Sequence, residues 1–400
     1  MSVVLINIIA IVTSLFVTMA CVPTLVHVSK EKKLFDEPNG RSATKIIVPT
    51  LGGLAVYLGF ITSLTMVHSW LILPNLSLIM GCLTIMLFLG LKDDILVLSP
   101  KKKLVIQLFV ASLLVVAGDF RFTSLHGCFG IESIPYFISY IISVFACIVI
   151  INAFNLIDGI DGLASGLSIL ISTFFGIWFS INNNPEFSIY CFCLSSGLAG
   201  FFYYNFKGGK NKIFMGDTGS MLIGTLMYIF VVNFNELNLH PNTLNFPIDS
   251  APAVSFGLLI YPLYDVLRVF TIRILQKKSP MSPDKNHIHH RMLALGLSHH
   301  YSTMIIIGFN FVFVVSVILL QSVGNDLLFA YILIAFGSIS TIPSIIIARQ
   351  ELICKNDPYQ KVFIPRFFRK TGISENKILP ESNIRANNTQ ASNKSHEELI

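Results

Sequence analysis

The chain has 400 residues, of which 53% are hydrophobic and only 12% are charged, and its mean hydropathy is +0.70. Soluble globular chains carry about 25% charged residues, so this composition excludes an ordinary cytosolic fold, a disordered chain and a disulfide-built secreted module. The formal net charge is +6, and the apolar residues form long runs. We therefore predict an all-α polytopic integral membrane protein.

Apolar runs of about 20 residues, bounded by polar or turn-forming residues, predict about 11 transmembrane helices. The first run is interpreted as a span rather than a signal peptide, because no charged segment precedes it and no small-residue cleavage site follows it. In chain order the predicted spans are Val3–Val22, Ile46–Val67, Leu71–Leu91, Lys103–Ala117, Ile134–Phe154, Leu163–Ile181, Phe187–Phe206, Ser220–Asn233, Ala251–Val269, Thr303–Gln321 and Leu327–Ala348.

Lysine and arginine predict the orientation, because short cytoplasmic loops are enriched in them. With the N-terminus outside and the C-terminus in the cytoplasm, Arg121 is the single one of the 28 basic residues that falls outside. From Gln350 the chain becomes polar, which predicts a transmembrane domain of residues 1–349 and a largely disordered cytoplasmic tail of residues 350–400. Residues 362–370 of the tail mix aromatic and basic side chains, and both contact with an anionic leaflet and plain solvation are compatible with that pattern.

The cysteines do not indicate a disulfide framework or a cysteine-based metal site. Five of the seven lie inside apolar runs, where a thiol is usually a small packing residue. These five are Cys21, Cys82, Cys147, Cys191 and Cys193.

Acidic residues collect at the cytoplasmic ends of the predicted spans. They are Asp93, Asp94, Asp158, Asp161 and Asp217. Two adjacent carboxylates at the C-terminal end of a helix meet its negative dipole and repel each other, so a cation is expected beside Asp93 and Asp94. A hard divalent cation and surface pairing with Lys92 and Lys101–Lys103 both meet this requirement. Five carboxylates on one face predict a functional site there.

Polar groups recur every three residues at the end of the fifth span, at Asn152, Asn155 and Asp158. Helical geometry places them near one face, while Gly159 and Gly162 allow the backbone to turn or to approach a ligand. Helix capping accounts for one or two of these polar groups but not for all of them.

The segment Gly216–Ser220, with the sequence GDTGS, opens the eighth span. Its free amides and the positive end of the helix dipole predict an anion site, with Asp217 beside it as a ligand for Mg²⁺. The same sequence is also compatible with an ordinary helix N-cap.

Half of the ten histidines fall between His287 and His300, and Arg291 follows the His287-Ile288-His289-His290 run. Zinc is one interpretation, but no Cys or Glu accompanies the histidines at the usual spacing. A lid that donates hydrogen bonds to phosphates, with Arg291 as a bidentate donor, is favoured. An exposed loop with no ligand is the competing interpretation.

Asp265 and Arg268 lie three residues apart in or near the ninth span, where an unpaired charge is expensive. We expect them to pair with each other. The alternative class of protein is a secondary transporter for an anionic solute, which would place charges near the bilayer midplane and contain paired broken helices. The clustering of the carboxylates at one surface favours an enzyme, with Asp265 as the near-exception.

Four motifs, in this order, resemble those of the polyprenyl-phosphate N-acetylhexosamine-1-phosphate transferases: Leu91–Asp94, Asn152–Asn155 with Asp158–Gly162, Gly216–Ser220 and His287–His290. The resemblance covers roughly Lys30 to Ser302 and is closest to the undecaprenyl-phosphate GlcNAc-1-phosphate branch, rather than the muramoyl-pentapeptide branch. It implies that a lipid phosphate attacks the β-phosphate of a UDP-amino sugar. The products are a lipid diphosphate sugar and UMP, in the first membrane step of a cell-envelope polysaccharide.

The resemblance also implies roles for individual residues. The implied catalytic residues are Asp93, Asp94, Asp158 and Asp161; the implied metal ligands are Asp217 and Asn155; and the implied substrate-binding residues are Asn152, Asn155, Lys101, Lys103, His287, His289, His290 and Arg291. The implied cofactor is Mg²⁺, with Mn²⁺ as an alternative. Which of the three adjacent lysines contacts the lipid phosphate stays open.

The implied partners are a UDP-amino sugar, undecaprenyl phosphate and the bacterial cytoplasmic membrane, with no nucleic acid. A homodimer, the identity of the sugar, and the choice between direct attack and a covalent intermediate stay open. A CDP-alcohol phosphotransferase is chemically close, but its Asp-Gly…Ala-Arg…Gly…Asp…Asp segment is absent from the sequence.

Overall fold

The computed structural model describes residues 2–32, 48–277 and 287–356. The predicted tail beyond residue 356, with its aromatic and basic stretch, and the basic residues of segments 33–47 and 278–286 lie outside the described residues. Within the described ranges the chain forms thirteen α-helices and one isolated bridge between Ser124 and Ser133. The helices are α1 Val3–Glu31, α2 Gly52–His68, α3 Leu76–Leu96, α4 Pro100–Ala117, α5 Tyr136–Ile157, α6 Leu163–Ile181, α7 Pro185–Lys207, α8 Gly216–Leu237, α9 Ala251–Leu258, α10 Ile260–Leu275, α11 Ile288–Ala294, α12 His299–Leu319 and α13 Asn325–Asn356.

Eight of the described helices are long and apolar enough to cross a membrane: α1, α3, α5, α6, α7, α8, α12 and α13. A ninth span results if α9 and α10, which are bent by 77° relative to each other, are counted as one broken span. The apolar helix α2 has 17 residues. These helices confirm the prediction of an all-helical, polytopic membrane protein.

The largest differences between the predicted spans and the helices are at three places. The ninth span was expected to be continuous, but it breaks between Leu258 and Ile260. Pro262, in the first turn of α10, has no N–H to donate to the Leu258 carbonyl, which removes one helical hydrogen bond at the break. The first helix continues through Pro23 to Glu31, and the last one continues past residue 349 to Asn356.

Polar contacts tie together one set of helix ends, which we call the site end. Here the end of α3 contacts the start of α8 through Asp94 and Asp217. The loop after α5 contacts α12, because Thr303 donates its hydroxyl proton to the Asp161 carbonyl at 2.7 Å. All five carboxylates predicted to form a site lie at this end of the bundle.

The helix ends at the opposite end have their own contacts. The Tyr190 hydroxyl of α7 donates to the Pro74 carbonyl at 3.1 Å. Glu236, near the end of α8, accepts hydrogen bonds from the Thr123 amide and hydroxyl at 2.8 and 2.6 Å. The ends of α7 and α8 that lie away from the site are therefore held by contacts of their own.

Helix α8 lies at the centre of the bundle, and its amino end packs closely against α2 and α3. A Cβ at Gly53 would overlap the backbone of Gly219, and a Cβ at Gly90 would overlap the backbone of Thr218. Small residues allow membrane helices to approach closely, because association in lipid depends on packing rather than on the hydrophobic effect. This close approach brings the end of α3 against the start of α8.

Candidate active site

A carboxylate from α3 caps the amino end of α8. Asp94 Oδ1 accepts the Asp217 N–H at 2.8 Å, and Oδ2 accepts the N–H and hydroxyl of Thr218 at 3.1 and 2.6 Å. Gly216 precedes them with φ +72°, and a Cβ there would overlap the Thr50 carbonyl. The first turn of a helix leaves its amides without helical partners, and an N-cap oxygen satisfies them. Asp94 therefore fixes the backbone from which the Asp217 side chain projects.

This cap corrects one prediction. The amides of Asp217 and Thr218 were expected to be free for an anion, but Asp94 already accepts from both. Asp94 was also predicted to act in catalysis. Both of its oxygens accept hydrogen bonds in the cap, so Asp94 has a structural role at the site, and its catalytic role stays a prediction.

The Asp217 carboxylate lies among side chains from three other helices. Lys103 Nζ of α4 lies 2.8 Å from Asp217 Oδ2 and also contacts Asp93 Oδ2 of α3. Asn155 Nδ2 of α5 donates to Asp217 Oδ1 at 2.7 Å and to Ser220 Oγ at 3.0 Å. We call Asp93, Lys103, Asn155 and Asp217 the central cluster.

The central cluster is buried on one side and open on the other. Asp93 is 5% exposed, and its Oδ1 accepts the Leu98 N–H at 2.6 Å. The Asp217 side chain is 33% exposed. Two carboxylates share one ammonium, and a ligand can approach the cluster from the Asp217 side.

The three adjacent lysines have different environments. Helical geometry turns Lys103 into the central cluster, while Lys101 and Lys102 are exposed. Of the three lysines, Lys103 contacts Asp93 and Asp217, and the structure does not bring the predicted Lys101 to these carboxylates. Which lysine contacts the lipid phosphate stays a prediction.

Asn152 braces α5 against α4, one turn deeper than Asn155. Its Nδ2 donates to Gln107 Oε1 at 2.9 Å and to the Ile148 carbonyl at 2.8 Å. Gln107 is only 1% exposed and lies one helical turn after Lys103. No role was predicted for Gln107, although a glutamine inside an apolar run, four residues after a site lysine, is a usable signal.

Asp158 and Asp161, predicted together as catalytic residues, face different partners. Asp158 follows the last residue of α5, and burial raises its pKa well above the ordinary value, with the negative charge of Asp217, Asp94 and Asp161 adding to the effect. The Asp161 carboxylate pairs with Lys212 Nζ at 2.7 Å. Asp158 is therefore close enough to Asp217 of the central cluster for their charges to interact. Asp161 instead holds its loop against the segment before α8.

The histidine run is anchored to α10. Asp265 Oδ2 lies 2.7 Å from His287 Nδ1, and Asp265 Oδ1 accepts the Ile288 N–H at 2.9 Å. The predicted pairing of Asp265 with Arg268 is not formed among the described residues, and Arg268 Nη2 donates to Ser344 Oγ at 3.0 Å. Sequence spacing suggested the i, i+3 pair, but α10 presents Asp265 to the histidine run instead.

The next histidine packs against the acidic loop. His289 is buried, and a Cβ on Gly159 would overlap its imidazole. Burial lowers the pKa of His289 to about 3, so the ring is neutral at physiological pH. The His290 ring lies 4.4 Å from that of His289, and Arg291 follows in α11, half-buried. The run therefore lies between α10 and the Asp158 loop.

The donors of the central cluster suit a hard divalent cation. Asp217 and Asn155 carry oxygen donors and touch each other, and an ammonium already lies between two of the carboxylates. Mg²⁺ is usually held by one or two carboxylates together with substrate phosphates, rather than by an all-protein cage. No group of three or more His, Cys, Asp or Glu side chains in the described ranges is arranged to hold a metal.

Comparison with known proteins gives one family match. Residues 76–235 match the family described as Glycosyl transferase family 4. The matched segment begins with α3 and ends within α8, so it contains every member of the central cluster.

Named relatives cover more of the chain. The chain is 33% identical over 346 residues to a probable undecaprenyl-phosphate N-acetylglucosaminyl 1-phosphate transferase of Bacillus subtilis, covering 83% of this chain and 90% of that relative. It is 30% identical over 282 residues to an undecaprenyl-phosphate alpha-N-acetylglucosaminyl 1-phosphate transferase of Escherichia coli O157:H7, covering 70% and 74% of the two chains. A protein of the same name from Yersinia pestis is 29% identical over 276 residues, covering 68% and 73%.

Proposed function

This chain belongs to glycosyl transferase family 4, and on that premise we propose that it transfers GlcNAc-1-phosphate, or a related HexNAc-1-phosphate, from a UDP-sugar to undecaprenyl phosphate. UMP is released, and the product is an undecaprenyl diphosphate sugar. The observation that carries the proposal is the central cluster, in which oxygen ligands and one ammonium meet at the end of a membrane bundle. Phosphoryl transfer needs this arrangement, because it depends on positioning and charge neutralisation more than on covalent chemistry.

The site end faces the cytoplasm in this proposal, and eleven spans cross the bacterial cytoplasmic membrane with the N-terminus outside. Apart from Arg121, the basic residues of the described loops lie at the site end, which supports the assignment because cytoplasmic loops are enriched in lysine and arginine. A water-soluble UDP-sugar then meets a lipid held in the bilayer at one boundary.

Asp217 and Asn155 hold Mg²⁺ in this proposal, with Mn²⁺ as an alternative. When bound, the ion would neutralise negative charge on the diphosphate of the sugar nucleotide. Asp94 keeps the backbone of Asp217 in place through the cap on α8. The chain itself therefore supplies the ligands, and the amino end of α8 supplies their fixed position.

Asp93 and Lys103 handle the lipid phosphate. Asp93 Oδ2 positions the phosphate or accepts its proton. The Lys103 ammonium, which pairs with carboxylates in the structure, pairs with phosphate oxygens when the lipid is bound. A lipid phosphate oxygen then forms a bond to the β-phosphorus, and the bond from that phosphorus to the oxygen retained by UMP breaks. We favour this direct attack because the central cluster brings carboxylates and an ammonium together, which suits charge neutralisation and needs no covalent bond to the chain.

The remaining polar groups bind the nucleotide sugar. Asp158 lies beside the central cluster, and burial raises its pKa well above the ordinary value, which favours its protonated form and weakens its repulsion of the diphosphate. His287, His290 and Arg291 cover the diphosphate, while His289 stays neutral and holds the run against the loop at Gly159.

The proposal is tested by UMP release from purified protein in detergent, with UDP-GlcNAc, undecaprenyl phosphate and Mg²⁺. We expect release to require the lipid, to stop with EDTA, and to fall by about 10²–10³-fold or more in Asp217→Asn, as is typical when one charge-stabilising group is removed. Asp249→Asn changes an exposed carboxylate at the opposite end and should keep the wild-type rate. If other UDP-amino sugars alone support release, the sugar assignment is wrong; if none does in a folded preparation, the reaction class is wrong.

A pair of lysine variants tests the lipid-phosphate assignment. Lys103→Met removes the ammonium between Asp93 and Asp217, so we expect a large fall in kcat/KM for undecaprenyl phosphate, by about 10²-fold or more. Lys102→Met changes an exposed neighbour and should stay near wild type. Equal losses in the two variants would contradict a specific role for Lys103.

A further inference from the structure

Asp265 is a fully buried carboxylate that the reaction described above does not use. It is 0% exposed and lies on α10, one turn and a half after the break from α9. Charged groups inside membrane helices are costly and are retained where they have a function or a partner. Its two partners here are both in the histidine run, at His287 and Ile288.

The proposal takes Asp265 in its carboxylate form. A carboxylate accepts hydrogen bonds and donates none, so in this form His287 Nδ1 is the donor of the 2.7 Å contact. The other oxygen accepts the Ile288 N–H at 2.9 Å. With Nδ1 engaged, Nε2 is the ring nitrogen of His287 left to meet a ligand.

The anchored ring is also linked to the acidic loop. The rings of His287 and His289 stack with centroids 5.6 Å apart and planes 15° apart, and His289 packs on Gly159. Gly159 directly follows Asp158. Asp265 therefore holds one side of an assembly whose other side is the loop beside the central cluster.

We propose that Asp265 is a positioning residue that acts through His287. It fixes the imidazole so that Nε2 faces the diphosphate of the nucleotide sugar, and it holds the start of the histidine run through Ile288. This inference rests on the proposed transferase function. A carboxylate that orients a histidine in this way commonly contributes about 10–100-fold to the function of that histidine.

The first test is Asp265→Asn. An asparagine has one acceptor oxygen where the aspartate has two, so it cannot accept from both His287 Nδ1 and Ile288 N–H. We expect kcat for UMP release to fall by about 10–100-fold, with a much smaller change in KM for the UDP-sugar. The matched control is Asp326→Asn, because Asp326 also accepts a backbone amide, that of Phe129 at 3.1 Å, but at the opposite end.

Two variants of the histidine separate positioning from folding. Asn at residue 287 reproduces the Nδ1 donor without Nε2, and Gln reproduces a donor near Nε2 without Nδ1. We expect His287→Asn to melt like wild type in detergent and to be nearly inactive. We expect His287→Gln to keep more activity than His287→Asn.

A double-mutant cycle closes the test, because coupled residues give non-additive effects. In the wild-type background, Asp265→Asn should lower kcat by the full factor of about 10–100 expected above. In the His287→Gln background, the same substitution should lower kcat by less than about 3-fold. The same factor in both backgrounds would overturn the proposal, as would wild-type activity in Asp265→Asn or in His287→Asn. If Asp265→Asn does not fold, the two histidine variants alone decide. Absence of UMP release from folded wild-type protein would instead refute the proposed function.

Discussion

Asp93 and Asp94 are chemically identical neighbours that the fold uses differently. Successive residues of a helix point about 100° apart, so Asp93 faces Lys103 while Asp94 faces the start of α8. The adjacent pair looks like a single acidic motif in the sequence. In the structure one carboxylate belongs to the central cluster, and the other holds the helix that carries Asp217.

Asparagine substitutions separate these two roles. Asp94→Asn replaces one acceptor oxygen of the α8 cap by a donor, so we expect the free energy of unfolding to fall by about 1–2 kcal/mol, as for other lost caps. Asp93→Asn keeps the α8 cap and should lower kcat with little change in melting temperature. The check is thermal melting in detergent beside UMP release for both proteins. Melting curves that rank the two variants in the reverse order would contradict the assignment.

His289 should make stability depend on pH. Its pKa is about 3 in the folded protein, below the ordinary 6.5, because it is buried. Between these values the unfolded chain binds a proton that the folded chain does not, so stability falls as pH falls below about 6.5 and the loss ends near the folded pKa.

We therefore expect the wild-type melting temperature to drop between about pH 7.5 and pH 5, and His289→Asn to show a smaller drop because its side chain does not titrate. The measurement is melting in detergent across that range, with each protein compared with itself. An equal or larger drop in the variant would show that His289 is not the group responsible.

At the scale of helices, the sequence predicted what depends on local composition. Apolar runs located a helix in each predicted span, and the polar residues Asn152 and Asn155 fell on one helix as their spacing required. The break at Leu258–Ile260 was missed because one proline inside an apolar run does not distinguish a kink from a break. The cap from Asp94 and the anchor at Asp265 were missed because their partners lie 123 and 22 residues away, and spacing carries no information about such contacts.

Two glycines on α3 test the close packing against α8. A Cβ at Gly90 would overlap the backbone of Thr218, whereas a Cβ at Gly81 meets nothing within 4 Å. Gly90→Ala must therefore push α8 away and should cost about 1–3 kcal/mol, as overpacking does, together with most of the activity. Gly81→Ala should keep activity and gain up to about 1 kcal/mol from helix propensity. Similar melting and activity in the two variants would mean that contact at Gly90 does not set the position of Asp217.

At the scale of the whole molecule, the two ends of the bundle differ in the polar side chains that they bring together. The site end gathers carboxylates, amides, histidines and a lysine, while the contacts described at the opposite end join loops and helix ends to one another. A secondary transporter would pair two broken helices around a site at mid-depth. The described helices contain one broken pair, and the central cluster lies at a helix end. This distribution suits an enzyme that meets one substrate from water and the other from the bilayer.

The proposed orientation gives the last prediction, since the site end must face the cytoplasm where UDP-sugars are made available. Lys102 is exposed at the site end and Asn242 is exposed at the opposite end, so each can carry a cysteine without touching the central cluster. With a membrane-impermeant maleimide, we expect Asn242→Cys to react on intact cells and Lys102→Cys to react only after the membrane is opened. Wild-type protein treated in parallel gives the background from the native thiols. Labelling of Lys102→Cys on intact cells would contradict the proposed orientation, because the carboxylates would then lie outside, away from the nucleotide substrate. Since all the site residues share one end of the bundle, this one comparison decides the orientation of all of them.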